Sequence, residues 1–194
     1  DDDDNDSNLS LSAMEMELKP KVLASFDVIA GTYKKLRRLQ DQSVELQTSN
    51  KELSTAQRNR LTKLSSEVID EVKELSLNNN RIEALVDQLY TINKRLVGLE
   101  TRLWRLADKA GVTREEFLKQ YQGNEYEANW SRRVGRLTGK GWKNFVQDNR
   151  NEIKEVRSEI QELANETGLD ISEYRRIVRT VQKGEREARI AKRK

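Results

Sequence analysis

Apolar residues recur at intervals of three and four positions along most of the chain, and strict alternation of apolar and polar residues is absent. The first spacing is typical of amphipathic α-helices, whereas alternation would indicate β-strands. The most regular stretch steps by three and four in turn and forms a heptad seam of Ile82, Leu85, Leu89, Ile92, Leu96, Leu99, Leu103 and Leu106. We therefore predict an all-α protein with one long, heptad-patterned helix.

Three further stripes accompany this seam. They consist of Val22, Phe26, Ile29, Tyr33 and Leu36, of Leu61, Leu64, Val68, Val72 and Leu75, and of Ile153, Val156, Ile160 and Leu163. The first two can bury their apolar faces against the seam within one chain, which predicts an antiparallel helical bundle with additional helices toward the C-terminus. The alternative is a homo-oligomeric coiled coil, in which the seam pairs between chains. We favour the monomeric bundle.

Capping residues, one proline and several glycines indicate the helix ends. Ser54 with Gln57 and Thr113 with Glu116 have the spacing of capping boxes. Pro20 lacks an amide hydrogen and suits a first helical turn, so we expect a short helix before it and a long one from it. Left-handed C-terminal caps are expected at Gly111, Gly123 and Gly168. The helices are predicted near residues 13–18, 20–48, 54–77, 79–110, 113–122, 142–166 and 171–194, with the least regular stretch between 123 and 141.

The composition excludes several kinds of metal site and several catalytic mechanisms. The 194 residues include no cysteine and no histidine, so the usual ligands for zinc, haem, copper and iron–sulfur clusters are missing. Thiol and imidazole catalysis are missing for the same reason. Asp4, Asp6, Asn8 and Glu15 have the spacing of calcium ligands, but Leu9 occupies the place that needs glycine. We predict no catalytic residues, no metal and no cofactor.

Charge is distributed unevenly along the chain. Residues 1–30 hold 2 basic and 8 acidic residues, residues 31–93 hold 10 and 9, and residues 94–194 hold 24 and 16. Residues 174–194 alone hold 9 basic residues and 2 acidic ones. Such asymmetry predicts that the basic end meets an acidic partner, although arginine and lysine also form exposed helix faces without any partner.

The strongest candidate for such a contact is the segment 131–143, called here the basic segment. No acidic residue occurs between Glu127 and Asp148, and Trp130 directly precedes the segment while Trp142 is its last residue but one. Its cations suit contacts with nucleic-acid phosphates, and they are Arg132, Arg133, Arg136, Lys140 and Lys143. A second candidate patch consists of Arg175, Arg176 and Arg179. The alternative is that the two tryptophans only anchor a loop whose charges face water.

Several short runs resemble the housekeeping sigma factor of bacterial RNA polymerase, of the sigma-seventy class. The runs are Met14–Pro20, Thr32–Leu36, Gly123–Glu125 with Asn129–Trp130, Glu166–Leu169 and Gly184–Lys194. The last run is similar to the lead-in to conserved region 2.1 of that family. The early runs resemble the insert of proteobacterial members, and together the similarity spans most of the chain from about Leu11.

The resemblance implies that this is the helical, non-conserved insertion between conserved regions 1.2 and 2.1. It implies a disordered acidic tail at 1–11, the insertion at 12–166, and C-terminal helices at 167–194 that lead into region 2.1 of a longer protein. In the family the insertion lies against the β′ subunit of core RNA polymerase, favours promoter escape and approaches duplex DNA upstream of the −10 element.

We therefore expect a non-enzymatic, cytoplasmic module of transcription initiation that has no membrane contact. Its expected partners are core polymerase and promoter DNA, with a transcription activator as a further candidate. The alternative is a structural coiled coil or spacer that holds partners apart without touching nucleic acid.

Overall fold

The computed structural model describes residues 11–49 and 51–193, which fold into eight α-helices. The helices are α1 Leu11–Thr48, α2 Thr55–Glu74, α3 Asn79–Lys109, α4 Arg114–Tyr121, α5 Trp130–Val134, α6 Trp142–Asp148, α7 Arg150–Thr167 and α8 Ile171–Ala191. No strand occurs among the described residues. The predicted all-α class is confirmed.

The described residues divide into two compact units. The first comprises residues 11–39 and 55–78, which hold most of α1 and all of α2. Leu36 and Leu64 are its buried apolar side chains, whereas Val22, Phe26 and Tyr33 of the predicted α1 stripe are exposed. The stripe is therefore buried only toward its C-terminal end.

The second unit comprises residues 40–49, 51–54 and 79–193, and its core is built around α3. α3 packs against α4, α6, α7 and α8. The C-terminal half of the heptad seam is buried at Leu96, Leu99 and Leu103, whereas Ile82 and Leu85 at its start are exposed. Part of the seam therefore packs against other helices of the same chain.

Polar contacts define the direction of two of these neighbours. Arg95 pairs with Glu166 and Arg102 with Glu155, so the residue numbers on α7 fall as those on α3 rise. On α8, Arg175 pairs with Glu100 and Glu185 accepts a hydrogen bond from the Tyr90 hydroxyl. Both α7 and α8 therefore run antiparallel to α3.

The helix boundaries confirm several expectations and correct two. Positive φ angles at Gly111, Gly123 and Gly168 confirm the three predicted left-handed positions. α1 continues through Pro20, contrary to the expected break. A proline has a helical φ, and its missing hydrogen bond concerns an exposed turn whose carbonyl can bond water. The helix predicted at 142–166 is divided at Asn149, whose side-chain amide donates to the Phe145 carbonyl oxygen at 3.0 Å.

Two further expectations concern the ends of the chain and membranes. Residues 1–10 of the predicted acidic tail lie outside the described residues. Within the part of the chain that the structure describes, no helix is long and apolar enough to cross a membrane.

Candidate nucleic-acid interface

Two tryptophans anchor the basic segment by packing into the protein core. Trp130 begins α5 and Trp142 begins α6, with exposed fractions of 0% and 1%. Their rings form an aromatic cluster with Phe117, Tyr121 and Phe145, in which neighbouring ring centroids lie 5.2 to 6.4 Å apart. Edge-to-face geometry dominates these contacts and is a favoured arrangement for aromatic rings. Both ends of the basic segment are therefore anchored in the core of the second unit.

The backbone of the basic segment is also held at Gly141. Its φ of +89° is accessible to glycine and strained for other residues. A Cβ atom added there would lie 2.5 Å from the carbonyl oxygen of Ala110 and 2.8 Å from the amide nitrogen of Val112. Only glycine lets the segment approach the turn between α3 and α4 this closely, so the path of the segment is fixed.

Polar contacts surround Trp130 on both sides. Its indole nitrogen donates to the Gln120 carbonyl oxygen at 2.8 Å. Arg133 donates to Gln120 Oε1 at 2.6 Å and pairs with Glu127 at 2.9 Å. The Arg133 guanidinium therefore joins α5 to α4 and to the turn that precedes α5.

Arg157 on α7 covers the face of the Trp130 ring. Its guanidinium carbon lies 4.8 Å from a ring centroid, within the range of cation–π attraction. It donates to the carbonyl oxygens of Glu127 at 2.6 Å and of Asn124 at 3.3 Å. Burial lowers the pKa of Arg157 to about 10, which leaves the side chain charged at neutral pH. Arg157 thus binds α7 to the turn between α4 and α5.

A second polar network joins that turn to α3 and α8. Arg175 donates to Glu125 at 2.7 Å and also pairs with Glu100, which accepts a further bond of 3.1 Å from the Tyr121 hydroxyl. Glu125 is only 4% exposed. Burial raises the pKa of Glu100, although the attraction of Arg175 opposes this change. The single guanidinium therefore compensates two carboxylates, of which that of Glu125 is buried and that of Glu100 is partly exposed.

The start of α8 is fixed by Asp170. Its Oδ1 accepts a hydrogen bond of 2.7 Å from the Ser172 amide, and its Oδ2 accepts one of 2.5 Å from the Tyr126 hydroxyl. Burial by itself would raise the pKa of Asp170, but the bonds from Ser172 and Tyr126 lower it below its usual value. The carboxylate therefore caps α8 and holds the turn before α5 against it.

The structure separates the eight predicted contact residues into two groups. Arg133 and Arg175 are engaged in the ion pairs above, and the exposed Arg176 pairs with Glu173 on its own helix. The remaining five are exposed and form no ion pair with another described residue; they are Arg132, Arg136, Lys140, Lys143 and Arg179. Four of these five belong to the basic segment.

The sequence reasoning did not identify three residues that shape this region, namely Glu125, Gly141 and Arg157. A signal existed for Arg157, because it follows Ile153 by four positions and Val156 by one, on the apolar side of α7. No comparable signal existed for Glu125 or Gly141, since their neighbours come from distant parts of the chain. Across residues 11–49 and 51–193, no three acidic side chains are grouped so that they could hold a metal ion.

The family model described as the sigma-70 non-essential region matches residues 1–164. The matched range contains the basic segment, the aromatic cluster and most of α7.

Proposed function

This chain belongs to the family of the sigma-70 non-essential region, and on that premise we propose that it works as an interaction module in transcription initiation. As a sigma-factor segment it acts in transcription. The proposed module docks on core RNA polymerase at the β′ subunit, influences promoter binding and escape, and holds duplex DNA through the basic segment. A transcription activator is a further proposed partner of the same module.

The proposed DNA contact is supported by the exposure of the cations in the basic segment and by their lack of ion-pair partners. Arg132, Arg136, Lys140 and Lys143 are exposed, and no acidic side chain of the described residues neutralises them. Their backbone is fixed by the buried Trp130 and Trp142, so the loss of conformational entropy on binding is reduced. Cations held in this way suit the phosphates of a DNA backbone.

The same geometry favours duplex DNA over unstacked bases. Proteins that bind single strands usually stack exposed aromatic rings on the bases. The two tryptophans at the ends of the basic segment are buried and therefore offer no face for stacking. The proposed contact reads no sequence and acts through charge.

The second patch has a smaller part in this proposal. Arg175 compensates Glu100 and Glu125, and Arg176 is paired with Glu173, which leaves Arg179 as the unpaired cation of the three. We propose that Arg133 and Arg175 stabilise the fold. The other four cations of the basic segment contact DNA in this proposal.

Alanine at Arg132, Arg136, Lys140 and Lys143 is expected to weaken binding of the 194-residue chain to a short DNA duplex. The dependence of log K on log salt concentration should become shallower by about 0.9 for each phosphate that the variant no longer neutralises, or about 3 to 4 for all four cations. Fluorescence anisotropy of a labelled duplex between about 50 and 200 mM salt measures this slope.

A triple alanine variant at Arg105, Lys109 and Arg114 serves as the control. These three cations are also exposed and unpaired among the described residues, but they lie on α3 and α4. Their loss removes three positive charges and leaves every residue of the basic segment unchanged. Equal effects of the two variants, or an unchanged slope in the first, would contradict a localised DNA contact.

Deletion of residues 21–165 from the full-length parent sigma factor tests the role in initiation. We expect promoter-specific initiation with core polymerase to persist and the ratio of abortive to full-length transcripts to change, because a docked module that favours escape is gone. A purified transcription assay at a single promoter measures both quantities. An unchanged ratio, and an unchanged response to activators, would reject the regulatory role.

A further inference from the structure

An open apolar cleft lies between α3 and α4. Its volume is about 160 Å³. The cleft is lined by Val97, Glu100, Thr101 and Trp104 on α3 and by Arg114, Phe117, Leu118 and Tyr121 on α4. All of these residues belong to the second unit, so the cleft is a feature of one compact body.

The cleft has room for one bulky apolar side chain. An apolar cavity of about 150 Å³ in another protein admits benzene, which is close to the size of this cleft. Val97 at its edge is 49% exposed, and Trp104 and Leu118 are half-buried. A ring or a leucine side chain inserted here would cover apolar surface that the chain itself leaves in water.

Cations predominate among the unpaired charges that line this cleft and a second cleft beside it. The second cleft adjoins the first at Thr101 and is lined in addition by Gly98, Arg102, Arg105, Leu106, Lys109 and Glu152. Arg102 is engaged with Glu155 and Glu159, and Glu100 with Arg175. The lining charges that lack an ion pair among the described residues are three cations, Arg105, Lys109 and Arg114, and one acid, Glu152. The charge available to a partner is thus positive.

The surface of α3 between these cations leaves space for another helix. A Cβ atom added at Gly98 would meet no other atom within 4 Å, so the packing of this chain does not require glycine there. Glycine inside a helix is less stable than alanine. A partner helix lying close to α3 at Gly98 and Thr101 would use the room that this glycine provides.

We propose that the groove formed by the two clefts is a docking site for an acidic amphipathic helix of another protein. The helix inserts one bulky apolar side chain beside Trp104, and its acidic residues face Arg105, Lys109 and Arg114. This is the helix-in-groove mode of recognition, with charge complementarity fixing the orientation. The groove shares no residue with the proposed DNA contact, so either contact can fail while the other holds.

A designed peptide tests this docking site directly. The probe is a helical peptide of about 16 residues, built from alanine and glutamate with one central phenylalanine. Added to the ¹⁵N-labelled 194-residue chain, it is expected to shift the indole N–H signal of Trp104 and leave those of the buried Trp130 and Trp142 in place. Replacing the phenylalanine by alanine, or the glutamates by lysine, should weaken binding about tenfold or more.

Variants of the chain separate the groove from the rest of the surface. Val97→Glu, and the pair Arg105→Glu with Arg114→Glu, are expected to weaken the peptide about tenfold, because they remove apolar surface and reverse the charge. These side chains are exposed, so the fold is preserved. Arg132→Glu in the basic segment is the matched control and should leave the affinity unchanged.

Three outcomes would overturn the proposal. The first is an absence of any Trp104 shift at millimolar peptide. The second is equal binding of the glutamate and lysine peptides, which would show that the cations have no role. The third is a Trp104 shift that depends on protein concentration without peptide, which would identify the groove as a contact between two copies of this chain.

Discussion

Replacement of Trp130 by alanine is expected to lower the free energy of unfolding by about 3 to 5 kcal/mol. Trp130 is fully buried, its ring contacts four other aromatic rings, and its indole nitrogen donates to Gln120. The substitution opens a cavity and leaves the Gln120 carbonyl oxygen without this donor. It also removes the ring beneath the Arg157 guanidinium. Urea unfolding followed by far-ultraviolet circular dichroism measures the loss.

Two variants show where this stability originates. Trp130→Phe keeps an aromatic ring but lacks the indole donor, so we expect a smaller loss of about 1 to 2 kcal/mol. Trp104→Ala removes a half-buried tryptophan at the edge of the same region and should also lose less than Trp130→Ala. If Trp130→Ala lost no more stability than Trp104→Ala, the aromatic cluster would not be the anchor of the basic segment.

Alanine at Arg175 is expected to lower the free energy of unfolding by about 3 kcal/mol, because it leaves the buried Glu125 and the partly buried Glu100 without their cation. Arg176 is the matched control on the same helix. Its side chain is 74% exposed and its pair with Glu173 is exposed as well, so Arg176→Ala should change stability by less than about 0.5 kcal/mol. Chemical denaturation of the two variants under identical conditions measures the difference.

The pH dependence of the Arg175→Ala variant identifies the cause. Burial already raises the pKa of Glu100, and without the opposing guanidinium this pKa should rise further above the value of about 4.3 in the unfolded chain. A raised folded pKa favours the folded state at low pH, and this advantage is lost as pH rises through that pKa. The stability deficit should therefore shrink as the pH falls from about 7 to about 5. A deficit that stays constant would point to lost packing of the arginine stem.

The helices could be predicted because their signals are local. Apolar residues three and four positions apart define one helix face, and the predicted long helix at 79–110 corresponds to α3 at Asn79–Lys109. The left-handed glycines were predictable for the same reason, since a helix ends where a residue without a Cβ atom accepts a positive φ. The predictions of a break at Pro20 and of an unbroken helix through Asn149 were wrong, because the effect of each residue depends on the surroundings of the helical turn in which it lies.

The candidate site was predictable only as a set of charges. No acidic residue lies between Glu127 and Asp148, and this pattern did not distinguish among the five cations Arg132, Arg133, Arg136, Lys140 and Lys143. Adjacent positions then proved to have different environments, with Arg132 in water and Arg133 bound to Gln120 and Glu127. Neighbours in a helix point about 100° apart, so one can face the solvent while the next meets the protein.

By itself the sequence determined the class of the protein, because helical periodicity, capping residues and the lack of cysteine and histidine are properties of short segments and of composition. The tertiary structure decided which half of the α3 seam is buried, that Gly141 must pass the α3–α4 turn, and that Arg157 and Arg175 hold the fold. Each of these depends on contacts between residues distant in the chain, such as Arg175 with Glu100 and Glu125. Such contacts leave no periodic trace in the sequence, because the chain folds back in three dimensions to create them.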